Sequence, residues 1–258
     1  MAYARRPPVN TAAILPGLLL IGATASWFFF EFTAIKAYQA TDYYDWAIES
    51  ISDLSVTYKQ VHPLKHHTVV SGRAKFLNFG ILLNAALFAA GQLGLLYVTR
   101  KGVASSASTA RKLRVFLTLL FVSGLTLLVT IHGGPREQKT GLAGWHWNGW
   151  SLVAIASSLN SILAGLVPGQ IGNSDRDIFY RLLSVALGLW TAYSYYQFQT
   201  LTPWNSQTKI GLWQRSIIYP QQAWQAVTGS EIILAIVGAA IKDLDEKEAA
   251  KESTKKSE

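Results

Sequence analysis

The chain has 258 residues, 50% of them hydrophobic and only 15% charged, with 9 Trp, 11 Tyr and 11 Phe. A soluble domain carries about a quarter charged residues, so this composition points to a membrane protein. Cysteine is absent, which excludes disulfides, thiolate-bound zinc and thiol nucleophiles.

Taken in chain order, the segment MAYARRPPVN precedes an apolar run too long for a cleaved signal, which reads as a retained first span. Six segments reach the roughly 20 residues needed to cross a bilayer: Ala12–Ile35, Ala74–Val98, Leu113–Ile131, Gly149–Val167, Ile178–Phe198 and Ile217–Ile241. Each is expected to be helical, because lipid satisfies no bare backbone group. Pro16 and Pro220 fall in the first turns of spans one and six, where proline is tolerated. The expectation is an all-α polytopic bundle of six transmembrane helices over residues 12–241. A short N-terminal segment (1–11) precedes it and a charged tail (242–258) follows. The stretch GVASSASTA reads as a small-residue linker, and the tail as a frayed helix or disordered chain.

Charge sets the expected orientation. Of 23 Lys and Arg, fourteen lie before span one, between spans two and three, between four and five, and after six. They include Arg5, Arg6, Arg114 and Lys242. By the positive-inside rule both termini are cytoplasmic. The net charge of +8 is then a topology signal rather than a nucleic-acid footprint.

The outward loops hold the chemistry. All five His (His62, His66, His67, His132 and His146) fall on that side. The pair His62-x-x-x-His66 has a spacing that can hold a metal, zinc being the natural occupant, with Asp53, Glu49, His132 or His146 as further ligands. Ser52–Asp53 reads as a helix cap or as part of a Ser52/His62/Asp53 triad, although no nucleophile elbow surrounds any serine. Trp145, Trp147, Trp150, Trp204 and Trp213 fit an interfacial aromatic belt. Glu231 lies mid-span in the sixth segment and is expected to face the bundle interior. Glu31 is expected to snorkel toward the outer vestibule. The stripes Gly80/Asn84/Gly91 and Ser184/Gly188/Thr191 suit close helix packing.

ESISDLS after the first span, Asn78, WHWNG at the fourth, and GLWQRSIIYPQQAW at the sixth together resemble the domain-of-unknown-function 998 family of six-helix integral membrane proteins. The resemblance covers about residues 10–242. It implies the fold and a membrane location, and no activity. It matches Ser52, Asp53 and Leu54 to the family's serine–acid–leucine stretch, His146 to its histidine before span four, and Gly211, Leu212 and Arg215 to its glycine–leucine…arginine stretch. Ser55 stands where a glycine is usual, and Gln214 where a glutamate commonly precedes the arginine.

The functional expectation is a protein that binds or moves a small amphiphile or lipid at an outward polar vestibule, through Ser52, Asp53, His132, His146, Arg215 and Glu231. Two alternatives are a membrane-embedded metal-dependent hydrolase and a structural subunit of a membrane complex. The plasma membrane is the default location, with an endomembrane as the other choice. Oligomeric state stays open.

Overall fold

The computed structural model describes residues 11–39, 44–61, 68–99, 105–167, 175–200 and 209–255. A 3-10 turn at Thr11–Ala13 opens α1 (Ile14–Ile35). Then come β1 (Tyr38–Gln39), α2 (Ile51–Ser55), β2 (Gln60–Val61), β3 (Thr68–Ser71) and α3 (Ala74–Val98). The second half is helical among the described residues: α4 (Ser105–Thr130), α5 (Pro135–Lys139), α6 (Ala143–Leu166), α7 (Asp175–Thr200) and α8 (Ile210–Lys255).

The six long helices form a closed ring in chain order. Helix α1 packs on α3, α3 on α4, α4 on α6, α6 on α7, α7 on α8, and α8 returns to α1. Neighbours run antiparallel: Gly17 meets Gly229 and Glu31 reaches Arg215 between α1 and α8, while Gly165 meets Arg181 and Ser151 meets Tyr195 between α6 and α7. All the β strands, α2 and α5 therefore gather at one end of the ring.

Five of these helices are long and apolar enough to cross a membrane, beginning at Thr11, Ala74, Ser108, Ala143 and Ile210. The polarity of the ring is the reverse of a water-soluble bundle. Phe29, Phe79, Phe116, Leu182, Trp190 and Tyr196 are exposed on the outside, while Asn84, Gln92, Thr118, Asn160, Ser194 and Gln222 are buried inside. In water such an apolar exterior is a liability; in lipid it is the solvated face. Hydroxyls and amides inside close the gaps between helices, as in Ser158 Oγ donating to the Gly188 carbonyl at 2.9 Å and Asn84 Nδ2 to the Ala23 carbonyl at 2.7 Å.

Several boundaries depart from the sequence reading. Helix α4 begins inside GVASSASTA, because alanine and serine do not stop a helix as glycine or proline does. Arg114 is 1% exposed within α4, with Nε donating to Asn160 Oδ1 at 2.9 Å, so it is a core residue and not a free charge at the membrane surface. Helix α6 starts at Ala143, which makes WHWN helical. Helix α8 starts at Ile210, seven residues before the expected span, so Pro220 lies inside it and not in its first turn. Lacking an N–H, Pro220 leaves the Ser216 carbonyl without its helical donor. Helix α8 continues through the charged tail to Lys255, with Lys242–Glu246 and Asp243–Lys247 pairs one turn apart. The small sheet, with order β1-β3-β2 and antiparallel pairing of Tyr38 with Ser71 and Gln60 with Val69, was not anticipated.

Gly17 and Gly229 let α1 and α8 touch backbone to backbone. A Cβ on Gly229 would lie 2.5 Å from the Gly17 carbonyl oxygen and 2.8 Å from Ile21 Cγ1, whereas one on Gly144 meets nothing. We therefore expect Gly229→Val to cost about 1–3 kcal/mol by overpacking and to lower the unfolding midpoint followed by tryptophan fluorescence in detergent. Gly144→Ala is expected to leave that midpoint unchanged.

Candidate functional site

At the loop-bearing end, the sequence ESISDLS folds into a single helical turn. Ser50 is its N-cap: Ser50 Oγ accepts from the Asp53 backbone N–H at 3.0 Å, and the Asp53 carboxylate accepts from Ser50 N–H and from Ser50 Oγ–H, each at 2.8 Å. This closes a capping box. The cap is Ser50 and not Ser52, and Asp53 is the reciprocal partner that holds the turn. The arrangement leaves Ser52 half-buried, facing the heads of α6 and α8.

Three groups meet at Ser52 Oγ. His146 Nε2 is 2.8 Å away, Trp150 Nε1 donates at 3.2 Å, and Gln214 Nε2 donates at 3.2 Å. Gln214 Oε1 in turn accepts from the Ser52 backbone N–H at 3.3 Å. His146 and Trp150 lie four apart on α6, so both rings leave the same helical face. His146 Nδ1 is 2.7 Å from the Ile131 carbonyl oxygen. A carbonyl can only accept, so Nδ1 carries the proton, Nε2 presents its lone pair, and Ser52 O–H must donate to it. Oγ thus gives one hydrogen bond and accepts two.

A cavity of about 70 Å³ opens onto this pair. Its polar wall is Ser50, Ser52, Asp53, Gln60, Gln138, His146 and Gln214, and its apolar wall includes Val56, Pro135, Trp147 and Ile210. A second, apolar groove of about 590 Å³ lies on the other side of the first turns of α8, between Leu187, Trp190, Leu212 and Ala223.

Beside the cavity lies a buried ion pair. Arg215 Nε donates to Glu31 Oε1 at 3.0 Å, and the two side chains are 4% and 0% exposed. Trp27 Nε1 donates to Glu31 Oε2 at 2.9 Å and Tyr219 O–H to Oε1 at 3.1 Å. Arg215 Nη1 donates to the carbonyls of Trp46 and Glu49, both at 2.9 Å; Nη2 donates to Tyr44 Oη. The guanidinium also lies over the Trp46 ring, 4.5 Å from its centroid. Gly211 makes this possible: a Cβ there would sit 2.4 Å from the Glu49 carbonyl oxygen and 2.6 Å from that of Trp46. Burial raises the Tyr44 phenol above its ordinary range despite the nearby Arg215 charge. It therefore keeps the proton that it donates to the Glu49 carbonyl at 3.1 Å.

The expected site residues divide into four groups: lining the cavity, adjacent to it, distant from it and outside the described residues. Ser52, Asp53 and His146 line one cavity. Arg215 is adjacent but spent on Glu31 and backbone carbonyls. Glu31 is the buried half of that pair and does not snorkel. His132 is next to the cavity-lining Gly133 and packs edge-on to Tyr58; burial lowers its basicity, partly offset by Glu137. Tyr58 donates to that same Glu137, and burial together with this bond pushes its phenol up to about 12. Glu231 is half-buried on α8, sixteen residues from Arg215 and so about 24 Å along the helix, far from the cavity. His62, His66, His67 and Trp204 lie outside the described residues, and with them the candidate zinc pair and the triad through His62. Among the described residues no three His, Asp or Glu side chains gather as metal ligands.

Sequence reasoning passed over Trp150 and Gln214. Trp150 read as an interfacial residue but is 2% exposed, with its N–H turned inward. Gln214 was noted only as a departure from a family pattern. Comparison of the chain with protein-family models, curated proteins and solved structures finds no match.

The ion pair yields a direct test. Glu31→Gln leaves Arg215 buried without its counter-charge, a change that typically costs about 3–5 kcal/mol. The unfolding midpoint in detergent is expected to fall further than for Gly229→Val. Arg215→Lys is expected to be nearly as damaging, because an ammonium cannot reproduce the planar fork of donors.

Proposed function

We propose that the protein is a six-span membrane protein that binds a small amphiphile of the lipid class at the vestibule around Ser52 and His146. In this reading the loop-bearing end faces outward and both termini are cytoplasmic. The observation that carries the proposal is the two-sided cavity. Ser52, Asp53, His146 and Gln214 offer hydrogen bonds on one wall, and Val56, Trp147 and Ile210 offer apolar contact on the other. Such a site suits a ligand that is itself polar at one end and apolar at the other. Its position at the helix ends of an apolar ring is where a lipid's headgroup region lies.

Helix α7 supplies the sixth span in this proposal. Its exposed positions Ile178, Phe179, Leu182, Leu189, Trp190 and Tyr193 are apolar or aromatic, and its buried ones include Ser184, Thr191 and Ser194. That is the polarity of a helix solvated by lipid. The resemblance to the domain-of-unknown-function 998 family agrees with this arrangement.

The cysteine-free chain makes the topology simple to test. Single cysteines replace Lys139, on the loop side, and Glu246, in the tail, in intact cells or sealed vesicles. A membrane-impermeant thiol reagent is expected to label Lys139→Cys from outside and Glu246→Cys only after permeabilisation. Labelling of both from one side would remove α7 as a span.

For the ligand, the full-length protein is purified in mild detergent and its retained lipids are read by native mass spectrometry. Trp147→Ala and Gln214→Ala, which remove one apolar and one polar wall, are each expected to lower retention of a bound species at least tenfold. An unchanged lipid complement in both would overturn the binding proposal.

A further inference from the structure

The proton inventory around Ser52 does more than describe a binding site. We propose that Ser52 and His146 form a nucleophile–base pair that cleaves a carboxylic ester of the bound amphiphile. This rests on the vestibule being its binding site.

Three observations carry it. The first is directional: the Ile131 carbonyl fixes the proton on His146 Nδ1, so Nε2 faces Ser52 Oγ as a free base at 2.8 Å. This is the geometry of a serine nucleophile with its general base, the base being oriented by a third group. The orienting group here is a neutral carbonyl, so it selects the tautomer without adding charge. The second is access. Both Ser52 and His146 line the cavity of about 70 Å³, which has room for an ester group while the apolar remainder rests against Val56, Trp147 and Ile210. The third is positional. Trp150 Nε1 and Gln214 Nε2 each donate to Oγ at 3.2 Å, which leaves the Ser52 proton directed at His146 and an amide donor within reach of the reacting centre.

The cavity also narrows the substrate class. Among the described residues Asp53 is, apart from His146, the one ionisable residue in its wall, and no described Lys or Arg lines it. Against these residues a phosphate would meet a carboxylate and no described cation to balance it, whereas an uncharged carboxylic ester brings no charge for Asp53 to repel.

The steps balance without any further cofactor. Ser52 Oγ attacks the ester carbonyl carbon, forming the O–C bond while its proton passes to His146 Nε2. As Oγ gives up its lone pair, the amide of Gln214 turns from Oγ to the carbonyl oxygen, which now bears the charge. The tetrahedral centre collapses, the alcohol leaves, and it takes the proton from His146. Water then attacks the acyl-serine with His146 accepting its proton, the carboxylic acid departs, and Ser52 regains its hydrogen.

The test is covalent labelling of the full-length protein in detergent with a fluorophosphonate probe, mapped by peptide mass spectrometry and run beside hydrolysis of a p-nitrophenyl acyl ester. We expect one adduct, on Ser52, and none in Ser52→Ala. His146→Ala is expected to slow both labelling and hydrolysis at least 100-fold, the contribution of a positioned general base. A phosphodiester analogue, bis-p-nitrophenyl phosphate, is expected to stay intact. Mapping on the unmodified chain needs no variant, so loss of folding in a mutant cannot mimic the result. An unlabelled Ser52 in protein that retains lipid through Trp147 and Gln214 would overturn ester cleavage and leave the binding proposal standing. A labelled Ser52 with ester turnover but no retained lipid would support the chemistry on a soluble ester and remove the amphiphile. Labelling indifferent to His146→Ala would overturn the pair.

Discussion

The arrangement at the loop-bearing end depends on one buried ion pair. Arg215 on α8 holds Glu31 on α1, and the two helices are the first and last of the ring. Two isolated charges in a low-dielectric interior cost far more than they return, so the pair is sustained by the hydrogen bonds that surround it. Glu31 receives donors from Trp27 and Tyr219, and Arg215 spends its remaining donors on Tyr44 and on the carbonyls of Trp46 and Glu49. Those carbonyls belong to the segment that leads directly into the Ser50 cap. The ion pair therefore closes the ring and, through the same guanidinium, fixes the backbone that delivers Ser52 to His146.

The interior shows the same economy of charge. In a ring whose outer face is apolar, polar groups turned inward can bond across to another helix. Thr24 Oγ1 donates to the Gln222 carbonyl, Asn84 bridges Ala23 and Gln222, and Ser158 reaches Gly188. The first of these bonds crosses between helices that glycine allows to approach closely, Gly17 lying against Gly229. Small residues and amides act together here, since neither alone would bring the backbones near enough or hold them in register.

Much of this was legible in the sequence. Apolar run length located five helices that the structure finds able to cross a membrane, and their loops placed His132, His146 and Ser52 at one end. Helix starts were read poorly for a physical reason: hydropathy marks where a helix becomes apolar, not where its hydrogen bonding begins. Helices α6 and α8 each start six or seven residues earlier, through WHWN and GLWQRS, and those polar turns carry the site. Asp53 and Ser52 could be named as a cap-like pair, yet the capping box needed Ser50, one of two serines before the acid. The partners of Ser52 were out of reach: His146 lies 94 residues away and Gln214 lies 162 away, and no local pattern pairs them. The same holds for Glu31, visible as a charge in an apolar segment, and Arg215, visible as one in an outward loop, which are separated by 184 residues.

Gln214 shows how one atom sets the character of the site. Its amide presents Oε1 to the Ser52 backbone N–H and Nε2–H to Ser52 Oγ, a pairing that only an amide can complete. A glutamate at this position would have acceptors at both atoms. It would draw the Ser52 hydroxyl proton toward itself and compete with His146 Nε2 for it. It would also place a carboxylate next in sequence to the arginine that already neutralises Glu31, leaving two acids to one cation in a buried site. With glutamine no further carboxylate is added beside Arg215, and the Ser52 proton is directed at His146 Nε2. The Ile131 carbonyl sets the His146 tautomer and the Gln214 amide keeps a competing acceptor away from Ser52, and together they make the Ser52–His146 hydrogen bond run in one direction.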